Sequence, residues 1–188
     1  MTLVICPGIH PPHLSDRFTA ALMRQLEVRR SSLSVERAIA APLVFPTDKY
    51  APFDGGAVSG YLQRKCDPQE SLILIGFSAG VVGAIAAAQV WSAQGHSVAA
   101  LIAVDGWGMP KFGTFPFYRV SHDAFTHWSS AFLGAGDESF YADPAVSHLD
   151  LWQFPEQAYG YRTSGSEGRP LKKMTALSFI AEKIDSIG

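Results

Sequence analysis

Short, fully apolar runs alternate along the chain with segments in which apolar residues recur every three or four positions. The clearest apolar runs are Leu3–Cys6, Leu72–Ile75 and Val98–Val104. Each run has the length and composition of a buried strand. Phe18, Leu22 and Leu26 follow one face of a helix between the first two runs. Because apolar strands separated by helices are typical of a parallel sheet covered on both faces, the pattern predicts an α/β fold.

Weaker signals complete a mostly parallel sheet of about six strands. Further strands are predicted at Leu43–Phe45, Phe117–Ser121 and Ser139–Ala142. Capping and turn residues predict the helix boundaries. The predicted helices begin at Ser15, at Asp54 (ending near Cys66), at Val81 (ending near Ala93) and at Pro170 (running to the C-terminal region).

Composition bounds the class of protein. The 188 residues include 47% hydrophobic and 17% charged residues, with a formal net charge of −2. Such a balance predicts a large core and excludes an intrinsically disordered chain. The length corresponds to about one domain, and we expect residues 1–188 to form it. Since no basic excess is present to neutralise phosphates, the composition argues against a nucleic-acid binder.

One uncharged segment, residues 71–91, is long enough for a membrane span. Its β-type start is broken at Gly76–Gly80, and no basic cluster flanks it, which favours a buried strand followed by a buried helix. We therefore expect no integral membrane association. The N-terminus lacks the basic region of a signal peptide, and Cys6 and Cys66 form no disulfide framework, so we expect a cytoplasmic protein.

The junction between that strand and helix carries the clearest chemical motif. Gly76, Ser78 and Gly80 fit the pattern G-x-S-x-G. At a strand-to-helix turn this pattern is typical of a nucleophile elbow, in which the serine hydroxyl stands clear of the backbone. Small residues two positions before and after the serine let the helix pass close to the strand. The motif predicts Ser78 as a nucleophile; an ordinary glycine-rich turn is the alternative.

With this motif and its order of elements, the chain resembles the α/β-hydrolase superfamily, in particular its small single-domain lipases and esterases without a cap. In such proteins an oxyanion loop follows an early strand, and Cys6–His10 occupies that position here. The resemblance implies that the backbone amides of Ile9 and Ala79 bind the developing oxyanion. We also expect no cofactor and no metal, because the sequence has no H-E-x-x-H motif, no cysteine pair and no G-x-G-x-x-G after a strand.

A serine hydroxyl needs a base, and the resemblance indicates which histidine supplies it. The six histidines are His10, His13, His96, His122, His127 and His148. In the superfamily the order is serine, acid, histidine, with the histidine after the last strand of the sheet. This order implies His148 as the base, with His122 and His127 as alternatives.

The acid is expected after the penultimate predicted strand, the commonest position in the superfamily. Asp123 stands there, and we expect it to orient His148. Asp105, one strand earlier, is the alternative, although an aspartate before Gly106 is also typical of a simple turn. Asp137 and Asp143 lie in or beside the last strand and are weaker candidates.

The predicted activity is cleavage of a carboxylic ester, a small-molecule substrate, through an acyl-enzyme on Ser78. An apolar acyl or aryl group is expected because aromatic residues crowd the segments around the site. These residues are Trp107, Phe112, Phe115, Phe117, Phe125, Trp128, Phe132 and Trp152. A thioesterase or amidase with the same residues is one alternative. A hydrolase-fold binding module without turnover is another, because a fold does not determine a function.

Overall fold

A computed structural model describes residues 1–33, 40–106, 109–110, 113–131, 136–164 and 169–187. Eight strands in this described part of the chain form one sheet. They are β1 (Thr2–Cys6), β2 (Leu43–Val44), β3 (Leu72–Phe77), β4 (Val98–Val104), β5 (Phe117–Ser121), β6 (Glu138–Ala142), β7 (Tyr159–Ser164) and β8 (Arg169–Thr175). Their order in the sheet is β2-β1-β3-β4-β5-β6-β7-β8; β1 to β6 pair in parallel, and β7 and β8 add an antiparallel pair at one edge.

Helices connect most of these strands. They are α1 (Pro12–Leu33), α2 (Gly55–Lys65), α3 (Ala79–Ala93), α4 (Ala124–Ala131), α5 (His148–Gln153) and α6 (Ala176–Asp185). Asp54 caps α2 as predicted, because its carboxylate accepts a hydrogen bond of 3.0 Å from the amide of Ala57. Ser15 does not begin its helix. Helix α1 starts earlier, at Pro12, and the Ser15 hydroxyl instead accepts a hydrogen bond from the Trp152 indole.

Two cores cover the two faces of the sheet, which confirms the predicted fold class. On β3, Ile73 and Ile75 pack with α1, α5 and α6, whereas Leu72 and Leu74 pack with α2 and α3. The same alternation continues on β1 and β4. Because successive side chains of a strand point to opposite faces, a strand buried on both faces must be apolar throughout.

The C-terminal region differs from the prediction. A helix was expected from Pro170, but Arg169–Thr175 forms β8, and α6 begins only at Ala176. Strand β7, which the sequence pattern did not predict, offers an open edge, and β8 pairs with it. Backbone pairing with a neighbouring strand thus outweighs the helical spacing of Leu171 and Met174.

The segment 71–91 forms β3 and α3, with the elbow between them. None of the helices in the described ranges has both the length and the apolar character that crossing a bilayer requires. A Cβ atom on Gly80 would overlap the carbonyl oxygens of Cys6 and Pro7, and one on Gly76 would lie 2.7 Å from the Cα of Val81. Both glycines are therefore required for α3 to pass over the ends of β1 and β3.

This close crossing predicts a strong destabilisation by Gly80→Ala. The added methyl group would press against backbone atoms of β1, and we expect the free energy of unfolding to fall by roughly 1–3 kcal/mol or more. Gly60→Ala is the matched control, because a Cβ there meets only the flexible end of Arg64 at 3.2 Å. Urea unfolding of both variants provides the measurement. Equal midpoints for Gly80→Ala and the wild type would contradict the crossing.

Candidate active site

Ser78 lies at the turn between β3 and α3 in a strained backbone conformation. Its φ of 52° and ψ of −124° fall in a region that non-glycine residues rarely adopt. The Ser78 amide donates to the carbonyl of Val104 on the neighbouring strand, at 2.9 Å. Its side chain does not cap α3. The strained turn thus holds the hydroxyl away from the helix that follows, as the elbow motif predicts.

The loop after β1 lies directly beside Ser78. An ideal Cβ on Gly8 would be 3.0 Å from the Cβ of Ser78, so only glycine allows this approach. Among the described residues, the amides of Ile9 and Ala79 donate to no protein acceptor. Ala79 is also the first residue of α3, where an amide has no acceptor within the helix. Within the described part of the chain both amides thus lack an acceptor; Ala79 directly follows the serine, and Ile9 follows Gly8, which lies beside it.

His148 is the first residue of α5, and two contacts orient its imidazole. Ser147 caps this helix through the amide of Asp150. The Nδ1 atom of His148 lies 2.8 Å from Oδ2 of Asp105. Its ring stacks on that of Phe77, the residue before Ser78, with 4.7 Å between the ring centroids. The imidazole is thus held beside the elbow by a carboxylate on one side and an aromatic ring on the other.

Asp105 follows β4 and is the carboxylate that the structure brings to His148. Its φ of 48° is positive, and the residue is only 4% exposed. The backbone amide of His122 donates to Oδ1 at 2.9 Å, and the Nδ1 atoms of His122 and His148 both lie 2.8 Å from Oδ2. A buried carboxylate is costly unless donors surround it, and here three donors do so.

Asp123, the residue expected to orient His148, makes different contacts. Its Oδ1 accepts a hydrogen bond of 2.6 Å from the amide of Thr126 in the first turn of α4, and its Oδ2 lies 3.5 Å from Nε2 of His122. Burial raises the pKa of Asp123, but the Thr126 hydrogen bonds and the His122 charge outweigh burial, and the net shift is downward. The expectation for Asp123 is thus corrected, because its carboxylate faces α4 and His122 while Asp105 reaches His148.

The alternative histidines are placed differently from His148. His127 is buried on α4, and burial lowers its pKa, followed by the charge of Arg119. His122 follows β5, and its ring centroid lies 6.2 Å from that of His148. Its bond to Asp105 was not predicted. Val104 pairs with Val120, so the ends of β4 and β5 meet at one edge of the sheet. The proximity of these two strand ends was the feature from which the contact between His122 and Asp105 could have been predicted.

A stack of aromatic rings supports the His148 side of the site. Trp152 stacks on Phe18, with ring centroids 3.7 Å apart, and on Phe77, at 4.7 Å. Of the aromatic residues expected to form a pocket, Phe115, Phe117 and Trp152 are buried, and Phe125 and Trp128 are exposed. Trp107, Phe112 and Phe132 lie outside the described residues. The described members therefore form core or surface rather than a shared pocket.

An open cleft of about 440 Å³ borders the loop after β1. Gly8, Ile9 and His10 form one wall, and residues 47–53 form the other. Ile9, Tyr50 and Phe53 are exposed apolar groups along this cleft, being 75%, 44% and 55% exposed. Gly8 lines this cleft and also lies beside Ser78, although Ser78 itself is not among the residues that line it.

Other reactive groups of the chain are poorly suited to nucleophilic chemistry. Burial, reinforced by Cys66, raises the pKa of Cys6 to about 12, and burial, reinforced by Glu70, raises that of Cys66 to about 11. A thiol is a nucleophile only when it ionises.

One oxygen or nitrogen donor atom from each of Asp105, His122 and His148 lies within 4.8 Å of the other two, close enough for a metal ion. The Nδ1 atoms of both histidines lie at hydrogen-bond distance from Oδ2 of Asp105.

Comparisons with known proteins add a distant likeness in structure. No family model matches the sequence, and no curated protein matches it. Solved structures do match, among them YbtT, described as a type II thioesterase from the yersiniabactin NRPS/PKS biosynthetic pathway. The match has 12% sequence identity and a TM-score of 0.47, and it covers 81% of this chain and 87% of that chain. A likeness of this size assigns neither a family nor an activity to this chain.

Proposed function

We propose that this protein is a serine hydrolase of the α/β-hydrolase type that cleaves a carboxylic ester. One observation supports the proposal. The His148 imidazole lies 2.8 Å through Nδ1 from buried Asp105 and stacks on Phe77, the residue before Ser78. Ser78 has a strained backbone, and its side chain does not cap α3. A histidine whose Nδ1 is bound to a carboxylate presents its Nε2 as a base, which a serine nucleophile requires.

The proposed reaction proceeds through an acyl-enzyme. The Ser78 oxygen attacks the ester carbonyl carbon while its proton passes to Nε2 of His148. Asp105 stabilises the imidazolium that forms, and the amides of Ile9 and Ala79 bind the oxyanion. The bond from the acyl carbon to the alcohol oxygen then breaks, and the imidazolium protonates that oxygen as the alcohol leaves. Water gives a proton to His148 and attacks the acyl carbon. The bond to the Ser78 oxygen breaks, His148 returns the proton to Ser78, and the carboxylic acid is released.

The proposed substrate has an uncharged apolar or aryl group next to the ester. Exposed Ile9, Tyr50 and Phe53 offer apolar surface along the cleft, which Gly8 links to the surroundings of Ser78. Asp48 and Lys49 also line it, and their opposite charges give the cleft no net charge of either sign. A neutral ligand therefore fits this lining better than an anion or a cation does.

The nucleophile is tested with Ser78→Ala. The variant keeps the Cβ and the fold, and we expect it to lose p-nitrophenyl butyrate hydrolysis and labelling by a fluorophosphonate probe. Ser92→Ala, at an exposed position of α3, is the control and should retain both the hydrolysis and the labelling. Peptide mass spectrometry locates the label, and a label on another serine in the wild type would rule out the assignment. The rates of hydrolysis of the ester, a thioester and an anilide with the same acyl group then show which class of leaving group the protein prefers.

The acid is tested by comparing Asp105→Asn with Asp123→Asn. Asp105→Asn removes the carboxylate bound to His148, and we expect kcat to fall on the order of 10⁴-fold, as in serine proteases. Asp123→Asn keeps a side chain that can cap α4, and we expect a loss of about tenfold or less. Steady-state kinetics at matched thermal stability provide the measurement. The reverse order of losses would return the role to Asp123.

A further inference from the structure

We propose that His122 is a positioning residue that holds the Asp105 carboxylate in the orientation in which His148 can use it; this inference rests on the proposed function. His122 contacts this carboxylate at both oxygens. Its backbone amide donates to Oδ1 at 2.9 Å, and its ring Nδ1 lies 2.8 Å from Oδ2. A carboxylate held at both oxygens cannot rotate about its terminal bond without losing a hydrogen bond.

The second contact is the informative one, because it falls on the oxygen that His148 also binds. The Nδ1 atoms of both rings lie 2.8 Å from Oδ2 of Asp105, so that each ring donates to this oxygen when its Nδ1 carries the proton. A carboxylate oxygen has lone pairs for two donors, so the contacts are compatible. The ring of His122 thereby takes a place on Oδ2 that a water molecule could otherwise fill. We infer that this contact holds Oδ2 in the orientation that it needs to bind Nδ1 of His148.

The far side of His122 faces a second carboxylate. Its Nε2 lies 3.5 Å from Oδ2 of Asp123, an ion pair when the ring carries a proton on both nitrogens, and the amide of Thr126 donates to Oδ1 of Asp123 at 2.6 Å. These contacts form a series from Asp123 through His122 and Asp105 to His148. Asp123, which the sequence predicted as the acid, thus reaches His148 only through His122 and Asp105. In this proposal its role is to support His122.

His122 is not placed to act as the base in place of His148. The ring of His148 stacks on Phe77 beside the elbow, whereas His122 meets His148 edge-on, with 6.2 Å between ring centroids. Both nitrogens of His122 face carboxylates, so neither is directed at the serine. Loss of the His122 ring should therefore slow the chemical step and leave substrate binding unchanged.

The test compares His122→Asn with His122→Leu. These side chains are similar in size, but only asparagine offers an N–H near the position of Nδ1, and both variants keep the backbone amide on Oδ1. With p-nitrophenyl butyrate we expect His122→Leu to lower kcat roughly 10- to 100-fold at unchanged KM. His122→Asn should recover most of that loss. Equal kcat values for the two variants, or a change confined to KM, would contradict the inference.

A second measurement is independent of turnover and of any variant. Nitrogen-15 spectra of the histidine rings in the wild-type protein should show a proton on Nδ1 of both His122 and His148. An Nδ1 of His122 without a proton would overturn the inference, even in an active enzyme. Failure of the proposed function has a different signature, namely a wild-type protein that is neither labelled by the fluorophosphonate nor active on the ester.

Discussion

The close crossing of α3 over the ends of β1 and β3 positions Ser78 beside the loop after β1. With hydrogen atoms in place of side chains at Gly76 and Gly80, the helix approaches the backbone of β1, and Ser78 between these glycines has a φ of 52°. Gly8 lies against the serine, and among the described residues the first amide of α3 has no acceptor. Backbone strain at one residue thus accompanies the assembly of a site, as is common at functional positions.

Much of this arrangement could be predicted from the sequence, because it depends on local spacing and on the two faces of the sheet. Fully apolar runs predicted the strands that are buried on both faces, such as Leu72–Phe77. Small residues on either side of Ser78 predicted the elbow, since only a tight turn between a strand and a helix requires them there. The resemblance to α/β-hydrolases pointed to His148 as a residue after the last strand, but β7 and β8 follow it in the structure, and its Nδ1 lies 2.8 Å from Asp105.

The features that the sequence did not predict depend on contacts between distant segments. Asp105 and Asp123 both follow strands, and the sequence cannot show that the first turns inward at a positive φ while the second caps α4. The orientation of a carboxylate after a strand is set by its donors, and the donors of Asp105 come from His122 and His148, 17 and 43 residues away. Strand β8 was missed for a related reason, because only its partner β7 makes residues 169–175 extended.

A crystal structure of the protein after reaction with a fluorophosphonate would test the proposed roles of Ser78, His148 and Asp105 in one experiment. We expect a covalent bond from phosphorus to the Ser78 oxygen, with the phosphonyl oxygen accepting hydrogen bonds from the amides of Ile9 and Ala79. We also expect His148 to lie between the adduct and Asp105, with the bond from Nδ1 to the carboxylate intact. An adduct on another residue, or a His148 ring separated from Asp105 in the adduct, would contradict these roles.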